Sequence, residues 1–380
     1  MAQFYTGAEC RTVQLPTGTL EVRVDEAQLP LDELCGFAAR HNPKRGFLFV
    51  SRVLGRHIPV PPARMRDAHD RLATRIPADL PGPVLFLGMA ETAIGLGHGV
   101  HEAYLRATGR TDTLCLHSTR YRLEHEALLR FEEEHSHATS HIVYRPESRA
   151  QRRLLDAARS VVVVDDEAST GKTFANLVRA MAGALPRIER AALVVITDWC
   201  GDERRARALA DTPVPAHFGS LLAGTYTFAP AEVRGEAPRS AVGTGEAKDA
   251  LLPRDYGRLG STPNAALIEG MARGLFRTPG ERLLVLGTGE FVHPPFLLAS
   301  ALERLGADVH FQATTRSPAL VGHSMECALR FEDNYEDGIP NFLYNARRGG
   351  HDRVLLCHET PAATLDRALV DALDAHTVAF

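Results

Sequence analysis

The chain has 380 residues, more than one ordinary domain holds, so its length predicts two. Its 44% hydrophobic and 24% charged residues suit ordinary globular cores, and a net charge of −4 leaves no electrostatic footprint for nucleic acid. No run of about 18 apolar residues offers a membrane span, no basic-then-apolar leader opens the chain, and its six cysteines are scattered without a CxxC pair, which predicts a reducing, cytoplasmic setting without disulfides or structural zinc.

In chain order, residues 1–83 read as a preface, with short β-like runs at 20–24 and 46–50. Prolines at 59, 61, 62, 77, 81 and 83 then predict a break in regular structure. The apolar run 83–87 predicts a buried strand ending at Gly88, and helical periodicity continues to about Arg106. A second strand is predicted at 113–116, followed by a polar stretch, 117–146, rich in His and Glu. A helix at 149–159 leads to a strand at 161–164, an acidic pair, a small-residue loop, a helix at 173–184 and a strand at 191–197. Residues 212–262 are rich in Pro, Gly and Ala and read as an irregular connection. The pattern then resumes with helices at 264–276 and 294–305 and strands at 282–286, 308–312 and 353–357. Alternating strands and helices predict an α/β fold with a mainly parallel sheet, whose ligands bind at the carboxyl ends of the strands. The expected limits are a first domain at 1–215 (preface 1–83, core 84–215), a connecting segment at 216–262 and a second α/β domain at 263–380.

The two α/β segments resemble each other. Leu87-Gly88-Met89-Ala90-Glu91 matches Leu286-Gly287-Thr288-Gly289-Glu290, and Ser118-Thr119-Arg120 matches Thr314-Thr315-Arg316. Further on, 129–133 matches 329–333, and the strand 161–166 aligns with 353–358. This predicts a duplication whose second copy is degenerate, with Cys357-His358 in place of Asp165-Asp166. Gly287, Glu290, Thr315, Arg316 and Ser317 still put polar groups at strand ends. They would bind an acceptor or a second small anion, close over the first site, or serve only as buried caps.

The segment 161–173 carries the chemistry. Four valines make a strand buried on both faces, and Asp165-Asp166 emerge at its carboxyl end. The loop Ala168-Ser169-Thr170-Gly171-Lys172-Thr173 then supplies small residues and hydroxyls before a helix, an anion site built from backbone N–H groups and the helix dipole. Carboxylates repel a phosphate but accept hydrogen bonds from neighbouring sugar hydroxyls or hold a magnesium shell. A diol beside a phosphate describes ribose 5-phosphate. A Walker loop is excluded, because the glycine required five positions before Gly171 is Asp166.

On these residues the chain resembles the type I phosphoribosyltransferases, whose signature is four apolar residues, two acidic residues and a small Thr/Gly-rich loop. The resemblance implies that Asp165 and Asp166 bind the ribose hydroxyls of 5-phosphoribosyl 1-diphosphate (PRPP), and that residues 168–173 wrap its 5′-phosphate. It implies a diphosphate loop at Gly88, Met89, Ala90 and Glu91, with Arg120 as the cation, Mg²⁺ as cofactor and a nitrogenous acceptor. Asp165, Asp166 and Arg120 are then the catalytic candidates, and Asp165 and Asp166 are candidate Mg²⁺ contacts beside PRPP. Residues 117–141 match the family's mobile loop, and His135, His137 and His141 there read as a solvated segment rather than a zinc site. Ser169 stands where hypoxanthine–guanine enzymes carry an aspartate, a departure from purine salvage.

Thr315-Arg316-Ser317-Pro318 further resembles the TRSP signature of a bacterial group associated with tellurite-resistance-type stress operons. That resemblance implies a role in making a nucleoside-like metabolite, with no nucleic-acid or membrane partner, and leaves a homodimer open. A non-catalytic PRPP sensor on the same fold is the alternative.

Overall fold

The computed structural model describes residues 9–42, 45–132, 140–231, 243 and 245–380. An N-terminal segment carries β1 (Glu9–Leu15), β2 (Gly18–Ala27), α1 (Leu31–Leu34), β3 (Cys35–Ala39), β4 (Phe47–Ser51) and α2 (Pro62–Ala73). The first α/β unit follows with β5 (Val84–Gly88), α3 (Ile94–Thr108), β6 (Thr113–His117), the hairpin β7–β8 (Ala127–Glu132, Ser140–Tyr144), α4 (Arg149–Asp156), β9 (Ser160–Ala168), α5 (Lys172–Ala184), β10 (Arg190–Asp198), α6 (Gly201–Ala210) and β11 (Ala216–Pro230). The second comprises α7 (Ala265–Leu275), β12 (Arg282–Gly287), α8 (His293–Arg304), β13 (Asp308–Ala313), the hairpin β14–β15 (Ala328–Glu332, Pro340–Tyr344), β16 (Arg353–His358), a short 3₁₀ turn, α9 (Arg367–Leu373) and β17 (His376–Ala379).

The first sheet has the order β1-β2-β11-β10-β9-β5-β6, parallel from β11 to β6. Its direction of winding reverses between β5 and β9, the switch point where such sheets take ligands. The β5–β9 pairing ends at Gly88 opposite Val164, while β9 continues beside β10 to Ala168. The acidic pair therefore lies on a strand that has lost one neighbour, at the mouth of a crevice. Gly88 also lets α3 approach closely: a Cβ on Gly97 would stand 2.7 Å from the Gly88 Cα.

The second sheet, β13-β12-β16-β17, is parallel throughout and repeats the order β6-β5-β9-β10. Each copy inserts an antiparallel hairpin after its second strand. The expected fold class and the degenerate repeat are both present. The register differs by one residue from the sequence alignment, however. Gly88 pairs with Val164 and Gly287 with Cys357, so His358 and Glu359 stand where the first copy has Asp165 and Asp166.

Two expectations are corrected. Residues 216–230, read from sequence as irregular connection, form β11, bonded to β10 on one side and β2 on the other. Its glycines and alanines give little strand signal; pairing on both edges overrides local preference. The proline-rich stretch contains α2, because Pro61 is its N-cap and Pro62 its first residue, where proline fits a helix.

The N-terminal segment binds the copies together. Val60 and Phe311 exchange backbone hydrogen bonds of 3.0 and 2.8 Å, and Leu320 N–H donates to Ala39 O at 2.8 Å. Helices α2 and α3 pack on α8, in a core shared by Met65, Ile94 and Phe296. At this contact the rings of His98 and His293 stack at 4.5 Å, and His69 meets Phe296 edge-on. All six cysteines are free. Among the described residues no helix is long and apolar enough to cross a membrane.

Candidate active site

A cavity of about 780 Å³ opens over the switch point. Asp165, Asp166, Ala168, Ser169, Thr170, Gly171 and Thr173 line it from β9 and the start of α5. Gly171 caps α5 at φ 71°, and a Cβ there would stand 2.5 Å from the Cβ of Ala208, so both conformation and space favour glycine. Trp199 N–H donates to Ala168 O at 2.7 Å and ties the base of the loop to the end of β10. Lys172 is exposed and does not line the cavity, in contrast to its sequence-based place around the phosphate.

Met89, Ala90, Glu91 and Arg120 line the opposite wall. The turn after β5 is pinned by Met89 N–H to Val164 O at 3.1 Å and by Ala90 N–H to the Ser118 hydroxyl at 2.9 Å. That hydroxyl also meets Nδ1 of His141 at 3.0 Å. Glu91 pairs with the buried Arg56 at 3.3 Å and lies 4.0 Å from Arg316. Gly88 lies beneath the site as packing rather than lining. His135 and His137 fall outside the described residues. Among the described residues no group of three or more His, Cys, Asp or Glu side chains could hold a metal ion.

The second copy contributes directly to this cavity through Thr315, Arg316 and Ser317, with Leu320, Arg330 and Phe342 beside them. Arg316 donates to the Tyr121 hydroxyl at 2.6 Å and lies 5.1 Å over its ring. Gly287 and Glu290 stay out of the cavity; both are buried. The second copy's own crevice is filled by protein. Glu359, at the position of Asp166, receives both terminal nitrogens of Arg258 at 2.9 and 2.8 Å, and the Tyr335 hydroxyl at 2.8 Å. Tyr335 stacks on Tyr121 at 4.2 Å. Burial works against the charge on Arg258, but Glu359 and Glu290 outweigh it and hold the guanidinium protonated.

Sequence patterns do not single out the third wall. Arg40, His41 and Arg45, flanking the gap between β3 and β4, reach the cavity, with Arg45 paired to Glu167. Burial pushes the Arg40 guanidinium down to about 10. Glu167, directly after the acidic pair, was not singled out from the sequence although its position is a local signal; the arginines carry none, since a remote hairpin brings them in.

A mainly parallel sheet with an acidic pair and a glycine-led loop at its switch point makes this an α/β protein whose polar strand ends lie where such sheets take ligands. The chain belongs to the phosphoribosyl transferase family: residues 34–225 match that family's model, and residues 256–373 match the TRSP domain that follows it. No curated protein matches the chain. Similar solved structures include the adenine phosphoribosyltransferase of Rhodothermus marinus, at 17% identity over 50% of this chain and 96% of that one, with a TM-score of 0.32. The enzyme of Giardia lamblia, complexed with 9-deazaadenine, is 16% identical over 50% and 94% of the two chains, with a TM-score of 0.34. That of Trypanosoma brucei, in complex with AMP, pyrophosphate and ribose-5-phosphate, is 12% identical over 50% and 77%, with a TM-score of 0.34.

Proposed function

We propose that the chain transfers the 5-phosphoribosyl group of PRPP to a nitrogenous acceptor. The observation that carries this reading is the convergence of Asp165, Asp166, the loop 168–171 and Arg120 on one cavity at the β5/β9 switch point. The carboxylates accept hydrogen bonds from the ribose hydroxyls, and the loop amides take the 5′-phosphate. Arg120 offers a planar fork to the diphosphate. Two carboxylates are too few to cage a divalent ion, yet they suit Mg²⁺ arriving with phosphate oxygens of the substrate. Bound by Asp165, Asp166 and PRPP, the ion would neutralise charge on the leaving group. The C1–O bond of PRPP breaks through an oxocarbenium-like state, the acceptor nitrogen supplies the new bond's electron pair, and diphosphate leaves. Leu48, Leu320 and Phe342 form an apolar wall for a flat acceptor. The product class is a nucleoside-like phosphate, in keeping with a stress metabolite, and the six free thiols suit the cytoplasm.

Incubation with PRPP, Mg²⁺ and a panel of nitrogen heterocycles or a cell extract should release diphosphate and yield products heavier by one phosphoribosyl group. Binding of PRPP without such a product would leave a sensor instead. Arg120→Ala should lower turnover about 100-fold while the melting temperature holds; full activity in that variant would make Arg120 structural. The filled second crevice predicts one PRPP per chain by calorimetry. Two equivalent sites would mean that Arg258 yields its place.

A further inference from the structure

Glu290 occupies in the second copy the position that Glu91 occupies in the first, yet its carboxylate serves the other copy. Oε2 accepts from the Thr119 hydroxyl at 2.5 Å, and Oε1 accepts from the Arg120 backbone N–H at 2.7 Å. Both donors belong to the turn after β6 that carries Arg120 to the cavity. Glu290 is 3% exposed, and Nε of Arg258 supports its Oε2 at 3.3 Å. Burial alone would raise its carboxyl; Arg258, the Thr119 hydroxyl and the Arg120 amide hold it below the usual carboxylate range. The other backbone N–H groups of the turn are held from within the first copy. Ser118 N–H donates to Gly88 O at 3.0 Å, Thr119 N–H to Ile142 O at 2.8 Å, and Tyr121 N–H to the Thr119 hydroxyl at 3.1 Å. Contacts from the first copy thus fix the turn's base, while a charged group from the second fixes the residue that bears the guanidinium. The exchange runs both ways, since Glu91 of the first copy lies between Arg56 and Arg316.

We propose that Glu290 is a positioning residue for phosphoribosyl transfer: through its bonds to Thr119 and Arg120, the second domain aims Arg120 at the diphosphate. This rests on the assignment of Arg120 to the diphosphate. The second domain is then half of the active site rather than an appendage, and the buried set Arg258–Glu359 is the anchor for that carboxylate.

Glu290→Gln keeps the shape and one acceptor oxygen but loses the charge. It should weaken PRPP binding and lower kcat by about tenfold or more, the worth of a charge-assisted hydrogen bond. Binding of ribose 5-phosphate, which lacks the diphosphate, should be unchanged, because its partners lie on β9 and α5. In an Arg120→Ala background, Glu290→Gln should change PRPP affinity and kcat by less than about twofold, since sites acting through one group are not additive. Equal losses for PRPP and ribose 5-phosphate, or effects that multiply in the double variant, would overturn the proposal. If Glu290→Gln does not fold, Thr119→Val removes one of the two donors; it should show the same selectivity for PRPP at smaller magnitude, and indifference to it would count against the idea equally. The two readings fail differently. If the wild-type chain binds neither PRPP nor ribose 5-phosphate, the site assignment itself is wrong. If wild type binds PRPP and Glu290→Gln matches it, only the positioning role falls.

Discussion

The double substitution of Asp165 and Asp166 by Asn is expected to leave a folded protein that has lost turnover and binds PRPP more weakly by about 1–3 kcal/mol, the cost of hydrogen bonds to a charged acceptor. Asn has nearly the shape of Asp, and both positions are only partly buried at the end of β9, so packing changes little. The Asp165 Oδ1 that accepts from Asp166 N–H at 3.0 Å is retained as an amide oxygen. The sign of the effect identifies its cause. Removing two negative charges reduces repulsion of phosphates, so without Mg²⁺ inorganic diphosphate should bind as well or better while PRPP binds worse. Only loss of the sugar contacts produces that opposition. Calorimetry with both ligands, beside a thermal melt, makes the comparison; unchanged PRPP affinity in a folded double variant would remove the acidic pair from the site.

Stability is expected to collapse between pH 7 and pH 5. Burial pushes His57 and His69 down to about 3 and His101 to about 4, and drives His98 well below the ordinary imidazole range. Each is neutral in the folded chain and titrates near 6.5 once unfolded. A depressed folded value means that the stabilisation is whole above about pH 6.5 and is lost as pH falls towards the folded value. At pH 5 His57, His69 and His101 each cost about 2 kcal/mol, roughly 6 together, and His98 acts in the same direction, against a whole stability of about 5–15 kcal/mol for a typical protein. His69, His98 and His101 lie on α2 and α3, and the stack of His98 on His293 forms part of the packing against α8, so acid should loosen the joint between the two copies. Melting temperatures at pH 8, 7, 6 and 5 should fall progressively below 7, and His69→Gln with His98→Gln should flatten the slope. A melting temperature constant from pH 8 to 5 would show that these rings are solvated.

The strand 161–164, the acid pair and the glycine-led helix were legible in the sequence because each is local: periodicity marks the strand, charge marks its end and composition marks the anion loop. The duplication was legible through Gly88/Gly287, Glu91/Glu290 and Arg120/Arg316, but its register was not. Aligning Asp166 with His358 rather than Glu359 is a shift of one residue, which only the hydrogen-bonded pairs Gly88–Val164 and Gly287–Cys357 could correct. That single residue matters, because it reveals that the second copy kept a carboxylate and filled its crevice with Arg258.

By itself, the sequence determined the α/β class, the repeat and the chemistry of one strand end, all of which follow from side-chain pattern over short spans. Tertiary structure alone decided that β11 joins the sheet, that Arg40 and Arg45 reach the cavity, and that Glu290 bonds to Thr119 and Arg120 some 170 residues away. The first two depend on the N-terminal strands folding against the first copy, and the third on the two copies meeting at α3 and α8. No local pattern encodes that meeting, because burial of apolar surface is non-directional and the partners of each charge are chosen only when the copies dock.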